Sequence, residues 1–152
     1  MPKLKIYADT NIYSRPFDNL NLLDIKLESE ACLSIFKLSL LNKIILYSSD
    51  ILKLEIVRAP ADKKIQLYKN ISLCHKNIAQ TDQVKARAKK LMAWYKIQAR
   101  DALHAASAIS AKVDIFLTCD YDLIKRLQDC KQIKTVNPVN FILLYAYSFK
   151  NN

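Results

Sequence analysis

Apolar positions along the chain switch repeatedly between a period of two and a period near 3.6. Leu4 to Ala8 alternates apolar and polar residues before Asp9-Thr10-Asn11, which reads as a strand ending in a polar turn. Leu20, Leu23, Leu27, Ala31, Ile35 and Leu38 recur at three- and four-residue steps, so a long helix with that face inward is predicted over about Asn21 to Leu41. Lys43 to Ser48 is rich in β-forming residues, and Ser49 or Asp50 suits the N-cap of a helix carrying Leu52 and Ile56. Ala59-Pro60-Ala61-Asp62 breaks the pattern, and a short helix around Lys63 to Lys69 and a brief strand over Ile71 to Cys74 are expected after it. Thr81-Asp82 opens a helix with Val84, Ala88, Leu91, Met92 and Tyr95 on one face. Trp94 and Tyr95, at helical spacing beside Leu91 and Met92, read as core rather than as a base-stacking surface. From Asp101 to about Ala111, the residues Ala102, Ala105, Ala106, Ala108 and Ile109 make a small-residue surface that permits close packing, so this helix is expected to be central. A buried strand over Asp114 to Thr118, a helix from Leu123 to Gln128 and a strand over Ile133 to Val136 come next. Asn137-Pro138 has the chemistry of a helix start, for a final helix from Val139 to about Tyr147.

Strands alternating with helices, without two-residue hairpin turns, imply an α/β fold whose parallel sheet is covered on both faces. A single domain over residues 1–152 is expected, since the chain shows neither a repeat nor a linker. Ligands of such sheets bind beyond the carboxyl ends of the strands. Asp9 and Asp120 fall there, after the first strand and after the strand that begins near Asp114. Glu55 lies about a turn into the helix after the second strand, and Asp101 opens the small-residue helix, where the helix dipole favours a carboxylate. Taken singly, each has a plain structural reading: an Asx turn at Asp9, a surface glutamate at Glu55, a cap at Asp101. Together they form an acidic constellation whose repulsion a divalent cation would offset, and hard oxygen donors favour Mg²⁺ or Mn²⁺.

Composition sharpens the picture. Lys and Arg number 24 against 14 Asp and Glu, a net charge of +10 that attracts a polyanion, nucleic acid first among them. Glycine is absent, so dinucleotide fingerprints, P-loops, nucleophile elbows and EF-hand loops are excluded, and any chemistry must use side chains. Cys32, Cys74, Cys119 and Cys130 form no C-x-x-C pair and share no zinc spacing with His75 or His104. Three of the four sit in apolar runs typical of buried thiols, which points to a reducing compartment, the cytoplasm. The N-terminal residues run straight into a strand with no apolar signal region, and the apolar stretch Phe141 to Phe149 is too short to cross a bilayer. His104 stands three residues after Asp101 on one helix face, and a buried histidine bonded to a neighbour is preferred there to a metal ligand.

Three segments carry a resemblance: Tyr7-Ala8-Asp9-Thr10-Asn11-Ile12, Arg100 to Ala108, and Phe116 to Leu123, with a weaker match at Ser49 to Ile56. Over nearly its whole length the chain resembles the PIN-domain family of small metal-dependent ribonucleases, which includes the VapC toxins of toxin–antitoxin pairs. The resemblance implies a three-layer α/β/α fold with a central parallel sheet of four or five strands. It also implies that Asp9, Glu55, Asp101 and Asp120 are the catalytic and metal-binding acids, with Asn11, Thr118 and Asp122 supporting them. Where the family often has glycine, before the third motif and near the fourth strand, this chain has Ile97 and Ala111-Lys112-Val113.

The expected activity is hydrolysis of single-stranded RNA. Arg15, Lys53, Arg58, Arg100, Lys125 and Arg126 fall near the strand ends as candidate phosphate contacts. An antitoxin protein and a second copy of the chain are the further partners that the resemblance implies. A module of the same fold that binds RNA or a partner without turnover is the alternative, though a pure binder gains nothing from carboxylates where phosphates must approach. An aspartyl-phosphate enzyme would need a second Asp at the position of Asn11.

Overall fold

Five short strands form one all-parallel sheet in the order β3-β2-β1-β4-β5: β1 (Lys5–Ala8), β2 (Ile45–Ser49), β3 (Lys76–Ile78), β4 (Ile115–Leu117) and β5 (Lys134–Val136). The computed structural model describes residues 2–150, and side chains through Ala146; Met1, Asn151 and Asn152, the ends of the expected 1–152 domain, lie outside the described residues. Side-chain alternation splits the sheet between two cores. Tyr7, Tyr47 and Phe116, in register across three strands, face helices α5 (Asp82–Tyr95), α6 (Ala99–Ser110) and α7 (Tyr121–Arg126). Ile6, Ala8, Leu46, Ile115 and Leu117 face the other side. That side is covered by α1 (Thr10–Ser14), α2 (Leu23–Leu40), α3 (Asp50–Val57), α4 (Ala61–Ile71) and α8 (Pro138–Lys150), with a 3₁₀ turn, Arg15–Phe17, between α1 and α2. The result is the expected three-layer α/β/α arrangement. Helix α6 is central because Ala102, Ala105, Ala106 and Ala108 are fully buried, and methyl-sized side chains let its backbone lie close to the sheet.

Three expectations need correction. In α2, Leu20 and Leu22 precede the helix and are exposed, as are Leu23 (71% exposed) and Leu27, while Ala31, Cys32, Ile35 and Phe36 turn inward together with Glu28. Glu28 is buried because it is satisfied internally, by Asn137 Nδ2 at 2.5 Å and Arg15 Nε at 3.4 Å. A polar position therefore points in, and the inward face is rotated from the leucine stripe. Ile71 ends α4 rather than starting a strand; the strand lies further on, at Lys76–Ile78, where polar residues on a sheet edge hide the β pattern. Trp94 is 64% exposed and is not core.

Without glycine, Asn42, Lys96 and Lys112 take the left-handed conformation at φ 56°, 57° and 56°. Lys96 and Lys112 bracket α6, as the C-cap of α5 and the turn into β4. All four cysteines are free, with Cys32, Cys119 and Cys130 buried. Among the described residues no helix is long and apolar enough to cross a membrane.

Candidate functional site

Chain connections leave β1 toward β2 on one side and reach β4 on the other, so the crevice of this sheet opens beyond the carboxyl ends of β1 and β4. Asp9 follows β1 there and is only 1% exposed. Its Oδ1 accepts the Thr10 N–H at 2.7 Å, and its Oδ2 accepts from Thr118 Oγ1 at 3.0 Å and Asn11 Nδ2 at 3.1 Å. Asn11 Oδ1 accepts the Cys119 N–H at 3.0 Å, and Thr118 Oγ1 accepts the Asp120 N–H at 3.2 Å. Asn11 and Thr118 thus tie the end of β1 to the end of β4 and fix the Asp9 carboxylate. Asp120 is exposed and caps α7 by accepting the Leu123 N–H at 3.1 Å.

Glu55 on α3 faces α6. Arg100 joins it to the other acids: Nε lies 2.5 Å from Glu55 Oε2, Nη2 3.4 Å from Asp9 Oδ1, and Nη1 3.6 Å from Asp101 Oδ1. The second Glu55 oxygen bonds His104 Nε2, which lies 3.6 Å from Asp9 Oδ1. Behind the histidine runs a buried relay: Tyr7 Oη is 2.5 Å from His104 Nδ1 and 2.6 Å from Ser49 Oγ, which accepts the Leu52 N–H at 3.1 Å. One assignment satisfies every group: Leu52 N–H to Ser49, Ser49 hydroxyl to Tyr7, Tyr7 hydroxyl to Nδ1, and Nε2–H to Glu55.

Electrostatics separate the two half-buried acids. Burial alone would raise the Glu55 carboxyl, but the hydrogen bond from His104 and then the hydrogen bond and charge of Arg100 outweigh it and hold the group below its ordinary value. Asp101 is raised, by burial first and then by the Asp9 charge, with Asp120 adding to both and Arg100 offsetting only part. Asp9, Glu55 and Asp101 thus share one guanidinium, while Asp101 and Asp120 line one pocket with Gln98, Asp122 and Arg126.

The chemistry of the donor set fits a hard divalent cation: the donors are carboxylate oxygens, and three of the carboxylates already share one positive group. In the present side-chain positions that positive group is Arg100, and among the described residues no cluster of three or more His, Cys, Asp or Glu is arranged to hold an ion.

The other expected residues divide. Asp122 lines the pocket but is paired at 2.8 Å with Arg126, which also donates to the Lys96 carbonyl at 3.1 Å. Arg15 is engaged by Asp18 at 2.9 Å and by Glu28, so it anchors the turn after α1. Lys53 and Arg58, in and just after α3, and Lys125 on α7 are exposed, and among the described residues no ion pair gathers them with the acids. The sequence reading missed the relay, because Tyr7, Ser49 and His104 belong to separate elements and meet only in the folded chain.

A family model described as PIN domain matches residues 6–129. Among solved structures, the crystal structure of VapBC2 from Rickettsia felis bound to a DNA fragment from their promoter contains a chain of similar fold. It is 16% identical with a TM-score of 0.56, over 88% of this chain and 98% of that one. No curated protein matches this sequence.

Proposed function

The chain belongs to the PIN-domain family, and from that premise we propose that it is an endoribonuclease hydrolysing phosphodiester bonds of single-stranded RNA with Mg²⁺ or Mn²⁺. One observation carries the reading. A protein with 14 acids against 24 bases gathers Asp9, Glu55 and Asp101 around one guanidinium, with Asp120 beside them. That concentration does not serve RNA binding, since carboxylates repel the phosphates that must approach.

In this reading Asp9 and Asp101 hold the ion and Asp120 completes its surroundings. When bound, the ion would supply charge neutralisation at the phosphodiester and a lowered pKa for the attacking water. Glu55, aimed by His104, orients that water. Asn11 and Thr118 keep Asp9 in place, and Arg100, released from its carboxylates, turns to a phosphate oxygen as a positioning contact. The Rickettsia felis structure holds a VapBC2 complex; a small antitoxin occluding the crevice is the corresponding partner here. Self-association and a cytoplasmic location belong to the same reading, the latter supported by four free thiols.

Cleavage of single-stranded RNA in Mg²⁺ and in Mn²⁺ tests it. EDTA is expected to abolish the activity, and Asp9→Asn with Asp101→Asn to lower it by about 100-fold or more. Undiminished cleavage by that double variant overturns the assignment. Arg100 among the acids supports a second reading, a module that binds RNA without cutting it, and RNA binding with no cleavage in either metal is its signature.

A further inference from the structure

Helix α5 carries an unpaired basic face next to the one it buries. Val84, Ala88 and Leu91 turn into the core, whereas Gln83, Arg87, Lys90 and Trp94 recur at four-, three- and four-residue steps and share the adjoining face. Gln83, Arg87 and Lys90 line a cavity of about 430 Å³ with Ser110 and Lys112 from the end of α6. No acidic residue lines it, and among the described residues no side-chain hydrogen bond or ion pair engages Arg87, Lys90 or Lys112. Lys112 sits in the left-handed turn that closes α6.

Trp94 is the only tryptophan of the chain and stands 64% exposed at the far end of this stripe. It precedes by two residues Lys96, which with Gln98, Asp101 and Asp120 lines the acidic pocket. The stripe thus covers about 16 Å of helix, at 1.5 Å per residue, from a cavity lined by three bases and no acid toward the acidic pocket. Cations along a surface with an accessible indole are the two elements of single-strand recognition, since phosphates take the charge and any base stacks on the ring. An acidic polypeptide offers carboxylates to the cations but no nucleobase to stack on the indole.

We propose that Arg87, Lys90 and Lys112, with Trp94, form a binding track for single-stranded RNA that leads the strand to the acidic crevice. This deepens the ribonuclease reading and rests on it for the identity of the polymer. The sole tryptophan makes the track its own reporter. A 12-nucleotide oligouridylate is titrated into the full chain in EDTA, so that binding is read without cleavage, while indole emission is followed.

Saturable quenching is expected, weakening steeply with added salt. Dissociation constants measured by anisotropy of labelled RNA are expected to rise at least tenfold in Arg87→Glu with Lys90→Glu, and at least fivefold in Trp94→Ala, with Trp94→Phe near wild type. These positions lie outside the core, and unchanged circular dichroism confirms folding of each variant. RNA bound without quenching, or with affinity untouched by the charge reversal, overturns the track, as does an absence of RNA binding. Equal quenching by polyglutamate makes it a protein-docking face and also overturns it. Cleavage assayed separately in Mg²⁺ keeps the two readings apart: cutting that persists with the track disproved leaves the nuclease standing, and track binding without cutting does the reverse.

Discussion

Arg100 holds three carboxylates that would otherwise repel one another, and its side chain is still 49% exposed. Replacing it with Met is expected to destabilise the metal-free protein by only about 1–2 kcal/mol, because solvent screens a half-exposed guanidinium. Thermal melts should show that loss and its recovery in Mg²⁺; a melt unchanged in EDTA would contradict the electrostatic role. Asp101 and Glu55 have opposite consequences. The raised Asp101 carboxyl means that its ionised form costs folding free energy above that raised value, and the cost disappears as pH falls through it. Asp101→Asn should therefore raise the melting temperature at neutral pH while removing activity, and a lower one would contradict the strain assigned to this group. Glu55, held low, contributes stability above its ordinary value that is lost as pH falls through its lowered one, so Glu55→Gln should melt lower at pH 7 and converge on wild type in acid.

Among the elements, α5 and α6 were legible to within two residues because their punctuation is chemical: Thr81 caps α5 by accepting the Val84 N–H at 3.2 Å, and the alanines of α6 admit only close packing. The inward face of α2 was not legible, because a glutamate buried against Arg15 and Asn137 reads as solvent-facing until its partners, distant in sequence, are known. β3 escaped for a related reason: its position follows from pairing with Tyr47 to Ser49, not from Lys76 or Asn77 themselves. Around α6 the missing glycines leave strain that can be measured. Lys112 at φ 56° carries roughly 1–2 kcal/mol of left-handed cost, of which a glycine would return part in chain entropy. Lys112→Gly is thus expected to stabilise the fold by about 0.5–1 kcal/mol in urea unfolding, and a destabilised variant would contradict the strain.

At the scale of the molecule, the sheet order places the ends of β1 and β4 side by side, so acids far apart in sequence are brought to one edge. The doubly covered parallel sheet was readable from the alternation of strands and helices. The setting of the acids was not, since neither Arg100 between three of them nor the Tyr7–His104 relay behind Glu55 has a local signature. In the proposed ribonuclease reading, a charge of +10 attracts RNA with an affinity that falls with salt, and the acidic crevice is where an ion would offset repulsion. Anomalous diffraction from crystals soaked in Mn²⁺ tests that claim most directly. A peak between Asp9 and Asp101, with Arg100 turned away from both, is the expected result. No peak there, with the guanidinium still seated among the three carboxylates, would contradict it.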